Sequence, residues 1–170
     1  MDSELPYLYI DDECDFNVAI LLLIIDNLAL NIRKNYKLDF NKIQFFMYLI
    51  RNPSKINKVL EEAGKQQVLL NEKQTYTIES LSVNVDILHD RSKVKFLLKK
   101  LASIGLLDVV NDNKNGISYF LTNEGEKLAS ELCIGYFETI IQNLDNIKSL
   151  QSMSSTQLFS ILNSVFKGNK

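Results

Sequence analysis

The feature that most constrains the fold of this chain is a helix, a hairpin and a second helix within residues 91–128. The first helix is predicted because apolar residues recur at helical spacing up to a glycine that can end it. They are Val94, Leu97, Leu98, Leu101, Ile104 and the terminating Gly105. Two β-rich runs follow, "LLDVV" and "ISYFL", and the Asn115-Gly116 pair between them suits a tight hairpin turn. The pattern predicts a lysine-rich helix followed by a two-stranded wing.

Three helices are predicted before this unit. The first, from Phe16 to about Arg33, is apolar around most of its circumference, as in a helix with several packed neighbours or a partner subunit. The second runs from about Asp39 to Arg51, because Pro53 forbids continuation. Ser54 is expected to cap the third, which ends at Gly64. A short strand, "TYTI" at 75–78, and a brief helix at 80–88 are expected before the lysine-rich helix.

After the wing, Thr122 is predicted to cap a long amphipathic helix that extends to about Leu150, with Glu124 and Glu126 in its first turn. The run "TQLFSILNSVF" predicts a final short helix. The predicted fold is mainly α with a small β-sheet: a winged helix-turn-helix core flanked by N- and C-terminal helices. We divide the sequence into an acidic arm (1–15), this domain (16–150), and a short helix and tail (151–170).

Composition and charge restrict the binding partners and the cellular compartment that we expect for the chain. The formal net charge of -2 over 170 residues gives no overall attraction to nucleic acid, so DNA binding requires a local basic patch. The N-terminal stretch is acidic and lacks the pattern of a signal peptide. The most apolar run, Val18 to Ile25, is far shorter than the roughly 20 residues of a membrane helix. Cys14 and Cys133 are the only cysteines, which favours a reducing compartment. We expect a cytoplasmic protein with no membrane contact.

The residue types disfavour catalysis. His89 is the only histidine, so a nucleophilic triad or a His and Cys metal site has little to be built from. The sequence lacks a phosphate-binding P-loop, a glycine-rich dinucleotide motif and a paired-cysteine motif. The acidic residues from Asp11 to Asp15 are expected to form a solvated arm. We therefore expect no enzymatic activity, no metal and no cofactor.

The outward face of the lysine-rich helix offers Lys93, Lys95, Lys99 and Lys100 to DNA phosphates. It offers no Arg, Asn or Gln for bidentate base reading, and Arg91 projects nearer the buried edge. Phe96 lies among the lysines, where an exposed ring gains nothing unless something covers it. The Phe96 ring is expected to be covered either by a protein partner or by another part of the same chain, and both alternatives remain.

Five segments carry a family resemblance: "FNVAILLLIIDNLAL", "LDFNKIQFFMYLIRNP", "YTIESLS", "VKFLLKKLASIGLLDVV" and "YFLTNEGEKLASEL". Together they resemble the small middle components of ABC-three-component systems, over roughly residues 16–150. The resemblance implies a Lamassu-like bacterial defence complex, in which an ATPase similar to structural-maintenance-of-chromosomes (SMC) proteins binds ATP and DNA and a separate effector acts. This chain would be its non-catalytic winged-helix subunit, with no catalytic residues to transfer.

Two functions follow from these observations. In the first, the chain binds the SMC-like ABC ATPase or the effector through apolar surface, and its lysines contact double-stranded DNA only within the complex. The residues predicted for that protein interface are Phe96, Ile20, Leu23, Phe137, Ile141 and Leu144. In the second, the chain is a homodimeric winged-helix transcriptional regulator, with the long helix after the wing as its dimer seam and the four lysines on the groove.

Overall fold

The computed structural model describes residues 14–31, 33–70, 91–112 and 116–167. Within these ranges the chain forms seven α-helices and one antiparallel hairpin. The helices are α1 (Cys14–Leu28), α2 (Phe40–Arg51), α3 (Ile56–Glu62), α4 (Arg91–Ser103), α5 (Asn123–Glu131), α6 (Tyr136–Ile147) and α7 (Ser155–Lys167). The strands are β1 (Leu107–Asp112) and β2 (Gly116–Leu121), and short 3-10 turns lie at Pro53–Lys55 and Lys148–Leu150. The prediction of a mainly helical chain with a small sheet is confirmed.

Helix α1 lies at the centre of the fold, in contact with α2, α4, α5, α6 and β2. Its unbroken run from Ile20 to Ile25 is buried, which explains why the sequence there is apolar on all sides. The predicted end near Arg33 is wrong, because the chain reverses direction after Leu28. The amide of Lys37 donates to the carbonyl of Ala29 at 3.0 Å, which closes this reversal.

Helix α2 begins as predicted. The Asp39 carboxylate accepts a hydrogen bond from the Lys42 amide at 2.9 Å and so caps the helix. Phe45 and Phe46 of this helix are buried. Ser54 does not cap α3, contrary to the prediction. It lies within the 3-10 turn that follows Pro53, and α3 starts two residues later.

The hairpin forms in the predicted place, with Leu107 opposite Leu121 and Val109 opposite Tyr119. Its β2 edge is held by the loop before α2: the Tyr119 amide donates to the Leu38 carbonyl at 2.9 Å. The Tyr36 and Phe120 rings stack with centroids 4.5 Å apart. The predicted strand at 75–78, the helix at 80–88, His89 and the turn residues 113–115 lie outside the described residues.

The single long helix predicted after the wing is wrong, because two helices occupy that stretch. Thr122 caps α5 as predicted, accepting from the Gly125 amide at 3.2 Å, but α5 ends at Glu131. Gly135 then adopts a φ of 65°, which an α-helix cannot contain, and α6 starts at the next residue. The break lets α6 turn its own apolar side onto α1.

Helix α7 confirms the predicted last helix and packs on α2 and α3, with Leu158, Leu162 and Val165 buried. A buried polar link lies beside it. The Lys42 ammonium donates to the Gln151 carbonyl at 2.9 Å, and the Gln151 side-chain amide donates to the carbonyls of Leu28, the last residue of α1, and Leu30. None of the described helices combines the length and the apolarity that crossing a membrane requires.

Candidate functional site

A groove of about 710 Å³ separates α4 from the hairpin, and we call it the wing groove. It is lined by side chains from both elements and from the starts of α2 and α7. The lining residues are Asp39, Phe40, Asn41, Arg91, Lys95, Leu98, Lys99, Ala102, Leu107, Asp108, Val109, Ile117, Tyr119 and Ser155.

One wall of the wing groove is apolar. The hairpin register places Leu107, Val109, Ile117 and Tyr119 on the same face of the sheet, since residues two apart along a strand point the same way. Val109 and Ile117 retain 49% and 51% of their full exposure, although both are β-branched aliphatic residues. This wall is therefore an apolar surface that the described residues leave open to solvent.

Arg91 joins α4 to the start of α2 beside the wing groove. Its guanidinium lies 4.7 Å from the centroid of the Phe40 ring and donates to the Asn41 side-chain oxygen at 3.2 Å. Arg91 is exposed beside the groove. Arg91 lies next to Leu98 on α4, as expected for a residue near the buried edge of this helix. This edge of α4 borders the open wing groove.

The four lysines predicted to contact DNA do not share one face. Lys95 and Lys99, one helical turn apart, are exposed and line the wing groove. Lys100 lies on another side of α4, where its ammonium binds the Asp15 carboxylate at 2.7 Å and contacts the Cys14 sulfur at 3.4 Å. The hydrogen bond to Asp15, followed by that to Cys14, raises the pKa of Lys100. Lys93 is half-buried and projects with Lys100.

Carboxylates accompany the cations of the wing groove. The Asp108 carboxylate accepts a hydrogen bond from the Val109 amide at 2.7 Å, and the Asp39 carboxylate caps α2. Burial, helped by the negative charge of Asp39, raises the pKa of Tyr119 in the same wall. A DNA phosphate entering the wing groove would meet these negative charges, whereas a peptide with both apolar and charged side chains would find a counterpart for each.

The residues predicted for the protein interface separate into three groups. Ile20, Leu23 and Leu144 are buried in the core of the chain itself, so their apolar character is explained by packing and we no longer assign them to a partner. Phe137 and Ile141 are partly buried against that core. Phe96 is 59% exposed on α4. Ile104, predicted to belong to the packed face of that helix, is also exposed, because the helix ends one residue earlier.

The sequence prediction missed Val109 and Ile117. The predicted turn could not have identified them, because a two-residue turn at Asn115-Gly116 would place Ile117 opposite residue 114, and Val109 would then face away from Ile117 and Tyr119. In the structure Gly116 belongs to β2 and lies opposite Asp112, and this register puts Val109, Ile117 and Tyr119 on one face. Among the described residues, no group of His, Cys, Asp and Glu is placed to hold a metal ion.

Comparison with known protein families gives a match over most of the chain. The family model described as "ABC-three component (ABC-3C) system Middle Component 4" matches residues 28–160. This range begins at the last residue of α1 and ends within α7, and therefore includes every residue that lines the wing groove. No curated protein and no solved structure matches the chain.

Proposed function

The chain belongs to the family of middle component 4 of ABC-three component systems, and on that premise we propose that it is a non-catalytic subunit of a bacterial defence complex. In this proposal it binds another subunit through the wing groove and the neighbouring surface of α4. Membership of the family makes it a component of such a system, which works with other subunits. The partner and the contact surface are the proposed parts.

The observation that carries the proposal is the open apolar wall of the wing groove. The apolar side chains of Val109 and Ile117 are exposed to water, which costs solvation free energy. Threonine at both positions would favour a strand equally well and would expose less apolar surface. Because Val109 and Ile117 are 49% and 51% exposed, a partner that covers both gains about half of the free energy of burying a whole side chain, roughly 0.7–1.5 kcal/mol for each. The guanidinium of Arg91 in the same groove gives such a partner an orientation through charge.

The proposed architecture is a winged helix, in which α4 takes the position of the recognition helix and the β1–β2 hairpin is the wing. Support comes from the order of α2, α3, α4 and the hairpin along the chain. The Leu38 carbonyl gives β2 a backbone partner on its second edge, as a third strand of a wing sheet would.

We propose the SMC-like ABC ATPase as the subunit that occupies the wing groove, with the effector reached through the assembled complex. The support is the family, whose systems are named for an ABC component. A non-catalytic role is supported by the chemistry of the groove, whose ionisable lining consists of amines, one guanidinium, two carboxylates and one tyrosine, with apolar side chains between them.

Contact with double-stranded DNA inside the complex is proposed for Lys95 and Lys99 alone. Their exposure supports it, whereas Lys100 is already paired with Asp15 and Lys93 projects away from them. Two phosphate contacts give a weak, salt-sensitive interaction, which requires the ATPase to position the DNA. The homodimeric regulator is less well supported, because its dimer interface was the single long helix after the wing, and α5 and α6 are separate helices.

The test is copurification from cells that express the whole system. The tagged wild-type chain should retain the ATPase at near-physiological salt, and the double variant Val109→Asp/Ile117→Asp should lose it. The matched control, Ile104→Asp/Leu128→Asp, places the same charges on exposed apolar positions outside the wing groove and should retain the ATPase. Equal retention by both variants would refute the proposed surface.

A further inference from the structure

A polar cavity of about 280 Å³ lies next to the wing groove, with which it shares Asp39 and Ser155; we call it the serine pocket. Seven of its eight described lining residues have a polar or charged side chain, in contrast to the apolar wall of the wing groove. The lining residues are Lys37, Asp39, Lys42, Ser118, Ser152, Met153, Ser154 and Ser155. This lining suits a small ligand that is charged and accepts several hydrogen bonds.

The charges of the serine pocket favour an anion. Lys37 and Lys42 contribute two ammonium groups, and Asp39, whose carboxylate also caps α2, contributes one negative charge. Lys42 is only 6% exposed, and its ammonium, which has three donors, donates to the Gln151 carbonyl at 2.9 Å. No carboxylate of the described residues forms an ion pair with it. A buried positive charge therefore faces the pocket with no negative partner, and a bound anion would neutralise it.

Ser118 gives a second, independent indication of a ligand. It is 3% exposed and lines the serine pocket, on the face of β2 opposite to Ile117 and Tyr119, since side chains alternate along a strand. Within the part of the chain that the structure describes, its hydroxyl forms no hydrogen bond. A buried hydroxyl without a partner costs free energy, which a ligand that accepts its hydrogen bond would recover.

The start of α7 adds backbone donors. The Ser154 hydroxyl accepts from the Gln157 amide at 3.3 Å, and the Gln157 side-chain oxygen accepts from the Ser154 amide at 3.0 Å. The amides of Ser155 and Thr156, in the first turn of this 13-residue helix, have no such acceptor among the described residues. Free amides at a helix start, together with the positive end of the helix dipole, bind phosphate and similar anions.

We propose that the serine pocket binds a phosphate group, either as the free ion or as part of a small phosphate monoester. The ammonium groups of Lys37 and Lys42 neutralise its charge, and the Ser118 hydroxyl and the α7 amides donate to its oxygens. At about 280 Å³ the pocket lies below the roughly 300–1,000 Å³ of sites that enclose a whole drug-sized ligand, so the rest of a monoester would extend out of it. The bound phosphate joins α2, β2 and α7 at one point.

Isothermal titration calorimetry of the isolated full chain tests this, with inorganic phosphate, ribose 5-phosphate and ribose as ligands at constant ionic strength. We expect saturable binding of the two phosphate-bearing ligands and no binding of ribose. Tighter binding of ribose 5-phosphate identifies a monoester as the ligand, and tighter binding of inorganic phosphate identifies the free ion. The proposal is overturned if neither saturates in the millimolar range. It is also overturned if a short DNA duplex without terminal phosphates displaces the bound phosphate, which indicates a nucleic-acid site.

Two variants locate the site. Lys37→Met and Ser118→Ala should both fold, because neither side chain forms a hydrogen bond or an ion pair within the described residues. Each should weaken phosphate binding by about tenfold or more, as expected for the loss of a charge-assisted hydrogen bond. The matched controls Lys127→Met and Ser164→Ala change exposed positions of α5 and α7 and should bind as the wild type does. Unchanged affinity in either pocket variant, or equal weakening in the controls, overturns the proposal.

Lys42 reports the bound ion directly. Burial lowers the pKa of Lys42, the Asp39 carboxylate opposes this shift, and the charge of Lys37 adds to it. A phosphate beside the ammonium favours its charged form, so saturating inorganic phosphate should raise the pKa of Lys42. The measurement is an NMR titration of the lysine 13Cε resonances, assigned with Lys42→Met, and an unchanged pKa would overturn the proposal. All these experiments use the isolated chain, so their outcome is independent of whether the ATPase occupies the wing groove.

Discussion

Gly125 in the first turn of α5 tests how the wing is attached to the rest of the fold. A Cβ at this position would lie 2.3 Å from the Leu106 carbonyl oxygen and 3.1 Å from the Leu121 Cβ. The first atom belongs to the backbone, so rotation of a side chain cannot relieve the contact. The same carbonyl accepts the Thr122 amide at 3.1 Å, which joins the start of β1 to the cap of α5.

We predict that Gly125→Ala destabilises the chain although alanine is the better helix former. Alanine contributes about 1 kcal/mol of helix propensity. Against this, overpacking costs about 1–3 kcal/mol, and a weakened Thr122 to Leu106 hydrogen bond costs about 0.5–1.5 kcal/mol more. The net loss is then about 0.5–3.5 kcal/mol, and each kcal/mol lowers the melting temperature by roughly 2–4 °C in a chain of this size.

The assay is thermal and urea unfolding followed by circular dichroism. Lys127→Ala, at an exposed position of the same helix, is the control and should change the unfolding free energy by no more than about 0.5 kcal/mol. A Gly125→Ala chain as stable as the wild type, or more stable, would refute the close approach of α5 to the wing.

Three further predictions concern the polar link and the lysines. Gln151→Ala removes hydrogen bonds of 2.7 and 2.8 Å to the carbonyls of Leu28 and Leu30 and should cost about 2–4 kcal/mol in urea unfolding; an unchanged midpoint would contradict it. Burial lowers the pKa of Lys42, against the opposing effect of Asp39, so the unfolded chain keeps this proton to higher pH than the folded one. The wild type should therefore gain stability relative to Lys42→Met as the pH rises toward about 10.4, and parallel pH profiles would count against it. Lys95→Glu/Lys99→Glu should leave the complex assembled but weaken its DNA binding and reduce the dependence of that binding on salt; undiminished binding would exclude these lysines.

The helices that could be predicted from the sequence are those whose ends are marked by local chemistry. Asp39 caps α2, Thr122 caps α5 and Gly105 follows α4, and each effect depends on a few neighbouring residues. The break between α5 and α6 was missed because apolar residues continue at helical spacing across it. A glycine such as Gly135 is tolerated within a helix, and only packing of α6 on α1 selects the break.

The candidate site was predicted only in part for a related reason. Helical spacing located α4 and identified Phe96, Lys95 and Lys99 as outward residues, and the structure exposes all three. It could not reveal that α1 is enclosed by five other elements, so Ile20 and Leu23 were assigned to a partner instead of the core. An all-apolar helix is consistent with both environments, and the difference is set by contacts far apart in the sequence.

Photocrosslinking from the apolar wall tests directly whether the ATPase occupies the wing groove. A photoreactive amino acid replaces Ile117, and in a parallel chain Glu61 on α3, in cells that express the whole system. We expect a covalent adduct between position 117 and the ATPase, identified by mass spectrometry, and none from position 61. An adduct from position 61 alone, or only adducts between copies of this chain, would contradict it.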